Sequence, residues 1–188
     1  VGTATGGLWK SNNGGISWKP VFDGQDVLSI GAVAIYQKNP NIIWVGTGEG
    51  NVRNSTSIGG GMFKSVDGGK TWRQTGLEKT ERINRIALHP DNPDIVYAGV
   101  SSGGIWKTIN GGDTWTPIAD DFGSISFGAI AIDPLEPNTV YAGTGEVMSR
   151  YSSTIYYGNG LYKSTDAGNT WFNIAPELGE YTHTGDLV

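Results

Sequence analysis

Two glutamates stand at matching places in this 188-residue chain: Glu49 ends the run Gly46-Thr47-Gly48-Glu49, and Glu146 ends Gly143-Thr144-Gly145-Glu146. Paired carboxylates are what a glycoside hydrolase works with, provided they lie roughly 5–9.5 Å apart. Each glutamate opens a long segment. Arg53 and Asn54 follow the first; Arg150, Tyr151, Tyr156 and Tyr157 follow the second. Tyrosine rings beside Arg and Glu suit stacking on a sugar or holding a polypeptide. Three more acids, Asp23, Asp120 and Asp121, sit in links that precede apolar runs and are further candidates for acid chemistry. Which of these groups can meet depends on the elements that carry them.

Those elements are repeats. The pattern Ser/Thr, any residue, Asp/Asn, Gly/Ala, Gly, any residue, Ser/Thr, Trp occurs four times, ending at Trp18, Trp72, Trp115 and Trp171. Self-similarity of this length marks a repeat architecture. Each copy follows an apolar-aromatic pair (Leu8-Trp9, Met62-Phe63, Ile105-Trp106, Leu161-Tyr162). Two short apolar runs complete each unit, as in Ala32-Val33-Ala34-Ile35 and Ile43-Trp44-Val45. Gly clusters and Pro-Asn turns separate the runs, and no segment carries a sustained helical apolar period. Four short antiparallel strands in a unit of roughly 45–55 residues are the signature of a β-propeller blade. The expected fold is therefore all-β: a propeller over residues 1–188 with about four blades, approximately 1–28, 29–81, 82–125 and 126–181, and a further strand starting in 182–188. Residues 2–49 align without a gap to 99–146, with about half the positions identical, so the larger repeat is a pair of blades. The chain starts at Val1, inside the second strand of a blade, and reads as a processed or partial chain, a fragment of a larger propeller rather than a self-contained small ring. Open strand edges in such a fragment invite pairing with another chain.

The repeated box has a chemistry of its own. Asn13, Asp67, Asn110 and Asp166 can accept backbone N–H groups within the turn, as Asx residues do. Gly15, Gly69, Gly112 and Gly168 supply the positive φ that such turns demand. The Trp covers the turn, a burial worth roughly 2–3 kcal/mol. Asn replaces Asp in two of the four copies, so the position needs an acceptor and not a charge. These residues read as architecture, not as a catalytic set.

The box resembles the Asp-box, or bacterial neuraminidase repeat. The frame around it, from Val140-Tyr141-Ala142-Gly143-Thr144-Gly145-Glu146 to Gly160-Leu161-Tyr162-Lys163-Ser164, is similar to propellers of the sortilin type and of xyloglucan-cleaving glycoside hydrolases. It also resembles photosystem II assembly factors and secreted bacterial proteins termed glycosyl hydrolase-like. The resemblance covers essentially the whole chain. It implies the propeller fold and leaves the function open, since one fold carries many different sites. A sialidase would bring an arginine triad, whereas Arg53, Arg73, Arg82, Arg85 and Arg150 are scattered.

In a propeller, the links from second to third strand and from fourth to first share one face, and the box turns lie on the other. The long segments 48–61 and 145–160 thus put Glu49, Arg53, Asn54, Glu146, Arg150, Tyr151, Tyr156 and Tyr157 on one loop face, the usual place for binding. Blade packing at about 10 Å sets Glu49 and Glu146, two blades apart, roughly 20 Å from one another, too far to act as a pair. No catalytic residue is assigned. Arg82 and Arg85, near the channel, are candidates for gripping a protein partner, and Asp23, Asp120 and Asp121, in links to the first strand, are expected near the same central channel. His89 and His183 make no metal set, and neither a metal nor a cofactor is expected. Asn54-Ser55-Thr56 matches a glycosylation sequon. A net charge of −5 argues against a nucleic-acid partner, no apolar run is long enough to span a membrane, and the absence of Cys excludes a disulfide framework. The expected function is an extracytoplasmic (secreted, periplasmic or cell-surface) non-catalytic module, a carbohydrate-binding or protein–protein interaction scaffold. Its partners would be a glycan or protein ligand, the remaining blades of the same protein, or a second copy. The alternative is a glycoside hydrolase, xyloglucanase-like or sialidase-like, with part of its active site outside this chain.

Overall fold

A computed structural model describes residues 1–50, 56–101, 103–145, 157–178, 184, 185 and 187. The first sheet is a hairpin of β1 (Trp9–Lys10) and β2 (Lys19–Pro20). Val1 and Gly2 add a stub beside it: Gly2 bridges Leu8, and the Trp9 N–H donates to Val1 O at 2.9 Å. Three four-stranded antiparallel sheets follow: β3 (Ile30–Ile35) to β6 (Arg73–Gln74), β7 (Ile83–Leu88) to β10 (Thr116–Pro117), and β11 (Phe127–Ile132) to β14 (Phe172–Asn173). Within each, strands pair in chain order, β4 being Ile43–Thr47, β5 Met62–Ser65, β8 Val96–Val100, β9 Ile105–Thr108, β12 Val140–Thr144 and β13 Leu161–Ser164. This is an all-β arc of successive propeller blades, three complete and the first present as its outer half.

The strand sequences follow from their positions. Second strands β4 and β8 have neighbours on both faces and both edges, and they are buried throughout as Ile-Trp-Val-Gly-Thr and Val-Tyr-Ala-Gly-Val. Fourth strands are two exposed residues each, which leaves little free edge for unwanted pairing. Each first strand of the complete blades carries one register shift, between Ile30 and Ala32, Ile83 and Arg85, and Phe127 and Ala129. The residue skipped by the ladder is Gly31, Asn84 or Gly128, a bulge at the innermost rim.

The core lies between blades. One cluster joins Leu8, Phe22 and Ile30 to Val45 and Phe63; the next joins Trp44 and Met62 to Ile83, Val96 and Val100; the third joins Tyr97 and Ile105 to Phe122, Phe127 and Val140. Gly31 and Gly46 have to be glycine, because a Cβ on either would collide with Ile83 of the following blade. Gly128 and Gly143 press on Thr184 in the same way. Thr184 therefore packs on the fourth blade as Ile83 packs on the second.

Each box turns a third strand into a fourth. In the second box, Ser65 Oγ accepts the Gly69 N–H at 2.8 Å, and Asp67 Oδ1 accepts the N–H groups of Lys70 and Thr71 at 2.9 Å each. The Thr71 hydroxyl donates to Asp67 Oδ2 at 2.6 Å, and Thr170 does the same to Asp166. In the Asn copies this last bond reverses: Asn13 Nδ2 donates to Ser17 Oγ and Asn110 Nδ2 to Thr114 Oγ1, both at 2.9 Å. The threonine hydroxyls, first of all, hold the Asp166 carboxyl down at about 2 and that of Asp67 lower still. Gly15, Gly69, Gly112 and Gly168 lie at φ 89–91°. The box is also pinned to its own blade's first turn, through Gly68 N–H to Asn41 O (2.9 Å), Gly111 to Asp94 (3.0 Å) and Ala167 to Asn138 (2.8 Å).

The tryptophans do more than cover their turns. Trp72 Nε1 donates to Val21 O at 2.6 Å, Trp115 to Thr75 O at 2.6 Å and Trp171 to Ile118 O at 3.0 Å. Each acceptor lies three residues beyond the box Trp of the preceding blade, so the box is a joint between blades.

Candidate functional site

First strands of successive blades converge on a cavity of about 310 Å³ at the inner rim, lined by Gly31, Glu49, Asn84, Arg85, Gly128 and Gly185 among others. Half of this lining is glycine, and at the bulges Gly31 and Gly128 a Cβ would meet backbone of the stretch packed against them. Blade three departs from the rule. Where the second and fourth blades have Gly31 with Gly48 and Gly128 with Gly145, it has Asn84 with Ser101, and Asn84 Nδ2 donates to Ser101 Oγ at 2.6 Å. Asn84 is only 5% exposed, and its Oδ1 has no hydrogen-bond partner among the described residues. An acceptor left in that state costs roughly 1–3 kcal/mol, which a donor in the cavity would recover. Ser29 Oγ and Ser126 Oγ, just before the bulges of blades two and four, are likewise unpartnered among the described residues.

Arg85 stands beside Asn84 with its guanidinium fixed by two carbonyls, Nη1 to Asn84 O at 2.8 Å and Nη2 to Gly185 O at 2.6 Å. It ties blade three to Gly185, next to the Thr184 that packs on blade four. Glu49 is 4% exposed and closes the base of its loop: its N–H donates to Ser57 O at 2.9 Å, and its Oε2 accepts the Ser57 N–H at 3.2 Å. The Gly59 N–H meets Glu81 O at 2.6 Å, so the loop after β4 and the link before β7 do share this face. Half-exposed Tyr157 is joined to the link before β11, its carbonyl accepting the Ser124 hydroxyl at 3.1 Å. Arg53, Asn54, Glu146, Arg150, Tyr151, Tyr156 and His183 lie outside the described residues.

Three acids are placed differently from expectation. Asp120 and Asp121 line a groove with Gly168 and Trp171 of the next box, and Asp23 lines the equivalent groove with Gly69 and Trp72, not the central cavity. The reason is the aromatic that follows or precedes them: Phe122 and Phe22 are drawn into the inter-blade clusters and carry their neighbours outward. His89 Nδ1 accepts the Asp91 N–H at 3.1 Å within its own turn. Among the described residues no three His, Cys, Asp or Glu side chains come together as a metal site. Asn84 and Ser101 were missed by the sequence reading; the signal was there, as a lapse in the glycine pattern of one blade.

Blades pinned by Asx turns and joined by their tryptophans make this an Asp-box β-propeller. The chain belongs to the Sortilin-Vps10 family, described as sortilin, neurotensin receptor 3, which matches residues 60–186. No curated protein sequence matches the chain. Among solved structures it is similar to a GH74 enzyme of Niastella koreensis, with TM-score 0.70 and 24% identity over 93% of this chain and 27% of that one. It is also similar to the GH74 xyloglucanase of Xanthomonas campestris, with TM-score 0.70 and 15% identity over 92% of this chain and 28% of that one. The chain thus spans little more than a quarter of the length of these structures, and they share its fold.

Proposed function

We propose that the chain is a non-catalytic recognition or scaffold module of an extracytoplasmic protein, engaging a protein or glycan at the inner rim and loop face. The observation that carries this reading is the polar cluster of Asn84, Ser101 and Arg85, set where the other complete blades place glycine or alanine. Asn84 Oδ1 offers an unmet acceptor to a donor such as a hydroxyl or a backbone N–H, and Arg85 stands beside it in the cavity wall. The receptor description of the family agrees with recognition rather than turnover. Among the described residues no helix is long and apolar enough to cross a membrane.

The test is a glycan array and a peptide array probed with the chain and with Asn84→Gly and Arg85→Ala. Binding to a glycan or peptide that both substitutions weaken at least tenfold, with melting unchanged, supports the reading. Binding indifferent to both, or none on either array, overturns it. Release of reducing ends from xyloglucan by the same sample would favour the hydrolase alternative instead.

A further inference from the structure

The joints between blades have the same parts but not the same filling. At each, the fourth strand and following link of one blade face the box of the next. At the joint between blades two and three the chain supplies its own strap. Arg73, the first residue of β6, pairs with Lys64 in the ladder and reaches across to the third box. Its Nη1 donates to Asp113 Oδ1 at 2.8 Å and its Nη2 to Gly111 O at 3.0 Å.

The joint between blades three and four lacks that strap. Thr116 pairs with Lys107 as Arg73 pairs with Lys64, and Asn169 stands in the box where Asp113 stands. A threonine and a neutral amide make no such bridge, and a groove of about 600 Å³ stays open with both residues in its wall. Trp171 and Tyr162 line it too, and the exposed Asp120 and Asp121 bring two carboxylates. Neither aspartate makes an ion pair among the described residues. The box carbonyl, Ala167 O, already accepts from Lys107 Nζ at 2.8 Å and from the Tyr97 hydroxyl at 3.0 Å. An incoming group therefore meets the two carboxylates and the rings. Both walls belong to complete blades. The groove between blades one and two is a poorer host for a cation, because Lys10 and Lys70 line it.

We propose that the groove between blades three and four receives an arginine side chain of a partner polypeptide, as Arg73 fills the joint before it. The guanidinium forks onto the carboxylates of Asp120 and Asp121 and lies against the rings of Trp171 and Tyr162. Guanidinium suits this lining better than ammonium does: it donates in a fixed planar fork, stacks on aromatic faces and is more weakly hydrated. The site lies on the outer wall, apart from the inner-rim cavity.

The experiment is fluorescence anisotropy of labelled hexa-arginine and hexalysine peptides titrated with the chain at low ionic strength, where charge contacts are least screened. Hexa-arginine should bind at least fivefold more tightly than hexalysine. Thr116→Arg with Asn169→Asp rebuilds the strap of the preceding joint at unchanged net charge, and should weaken hexa-arginine binding at least tenfold. Asp120→Asn with Asp121→Asn should do the same. Glu78→Gln with Glu177→Gln makes an equal change of charge at exposed residues outside the groove, and should cost less than twofold. Melting curves establish that each variant is folded; should the rebuilt strap prevent folding, the two carboxylate pairs decide between them. No binding of hexa-arginine overturns the proposal, as do equal affinities for the two peptides. So does binding that survives in a folded strap variant, or a loss as large with the glutamate pair as with the aspartate pair.

Discussion

Replacing Trp115 by alanine should cost far more than replacing Trp18, although both end the same eight-residue box. Trp115 donates to Thr75 O at 2.6 Å across the blade boundary and stands edge-on to Trp44 at a centroid distance of 6.2 Å. It packs on the cluster of Met62, Ile83 and Val96. Truncating an aromatic in such a setting costs roughly 3–5 kcal/mol, and the stranded Thr75 carbonyl places the loss in the upper part of that range. Trp18 is 45% exposed and bonds within its own turn. Covering about half of a side chain of roughly 200 Å² at about 25 cal/mol per Å² bounds its contribution at about 2–3 kcal/mol. Contact with its own turn persists in part in the unfolded chain, which brings the net loss to about 1 kcal/mol. The two losses should differ by about 3 kcal/mol, more than tenfold in the unfolding equilibrium. Urea unfolding followed by far-UV circular dichroism reads this as a difference in midpoint at a common slope. Equal losses would refute the assignment of the tryptophan to the joint between blades.

Ala167 holds φ 59° at the box position where the other copies have Gly14, Gly68 and Gly111 at 67–74°. Ala167→Gly should stabilise by about 0.5–1 kcal/mol and raise the melting temperature by a few degrees; a fall would show that the methyl group makes a contact worth more than the strain. The box carboxylates predict a pH dependence. Folding lowers the carboxyl of Asp166 to about 2 and that of Asp67 further, so their contribution is complete above the ordinary value near 3.9 and is lost as pH falls toward the folded value. Asp67→Asn with Asp166→Asn copies the other two boxes and should flatten the melting temperature between about pH 4 and pH 2, where the wild type declines. Parallel decline of both proteins would assign the acid sensitivity elsewhere.

The propeller was legible because its signals are local and repeated. Alternating apolar runs, glycine at fixed offsets and a tryptophan after each turn specify four strands per unit, and those strands are present in each complete blade. What composition and spacing did not reveal is how neighbouring units engage. The Trp72, Trp115 and Trp171 acceptors lie 40 to 53 residues back in the chain, and no local pattern points to them. The placement of Asp23, Asp120 and Asp121 failed for the same reason: their direction is set by Phe22 and Phe122, whose burial depends on the next blade. Asn84 carries a fainter signal than the long loops, being a single departure in a strand that otherwise fits its repeat.

The bulges at Gly31, Asn84 and Gly128 give the fold a set of independent writing positions. A residue that the ladder skips opposes no cross-strand partner, so its identity can change without moving the pairs on either side. Blade three has used this freedom once, together with Ser101 as a companion. Each blade added to such a ring brings one more position of this kind to the axis, so inner-wall chemistry can diversify unit by unit while the interlocking outer parts stay conserved in form.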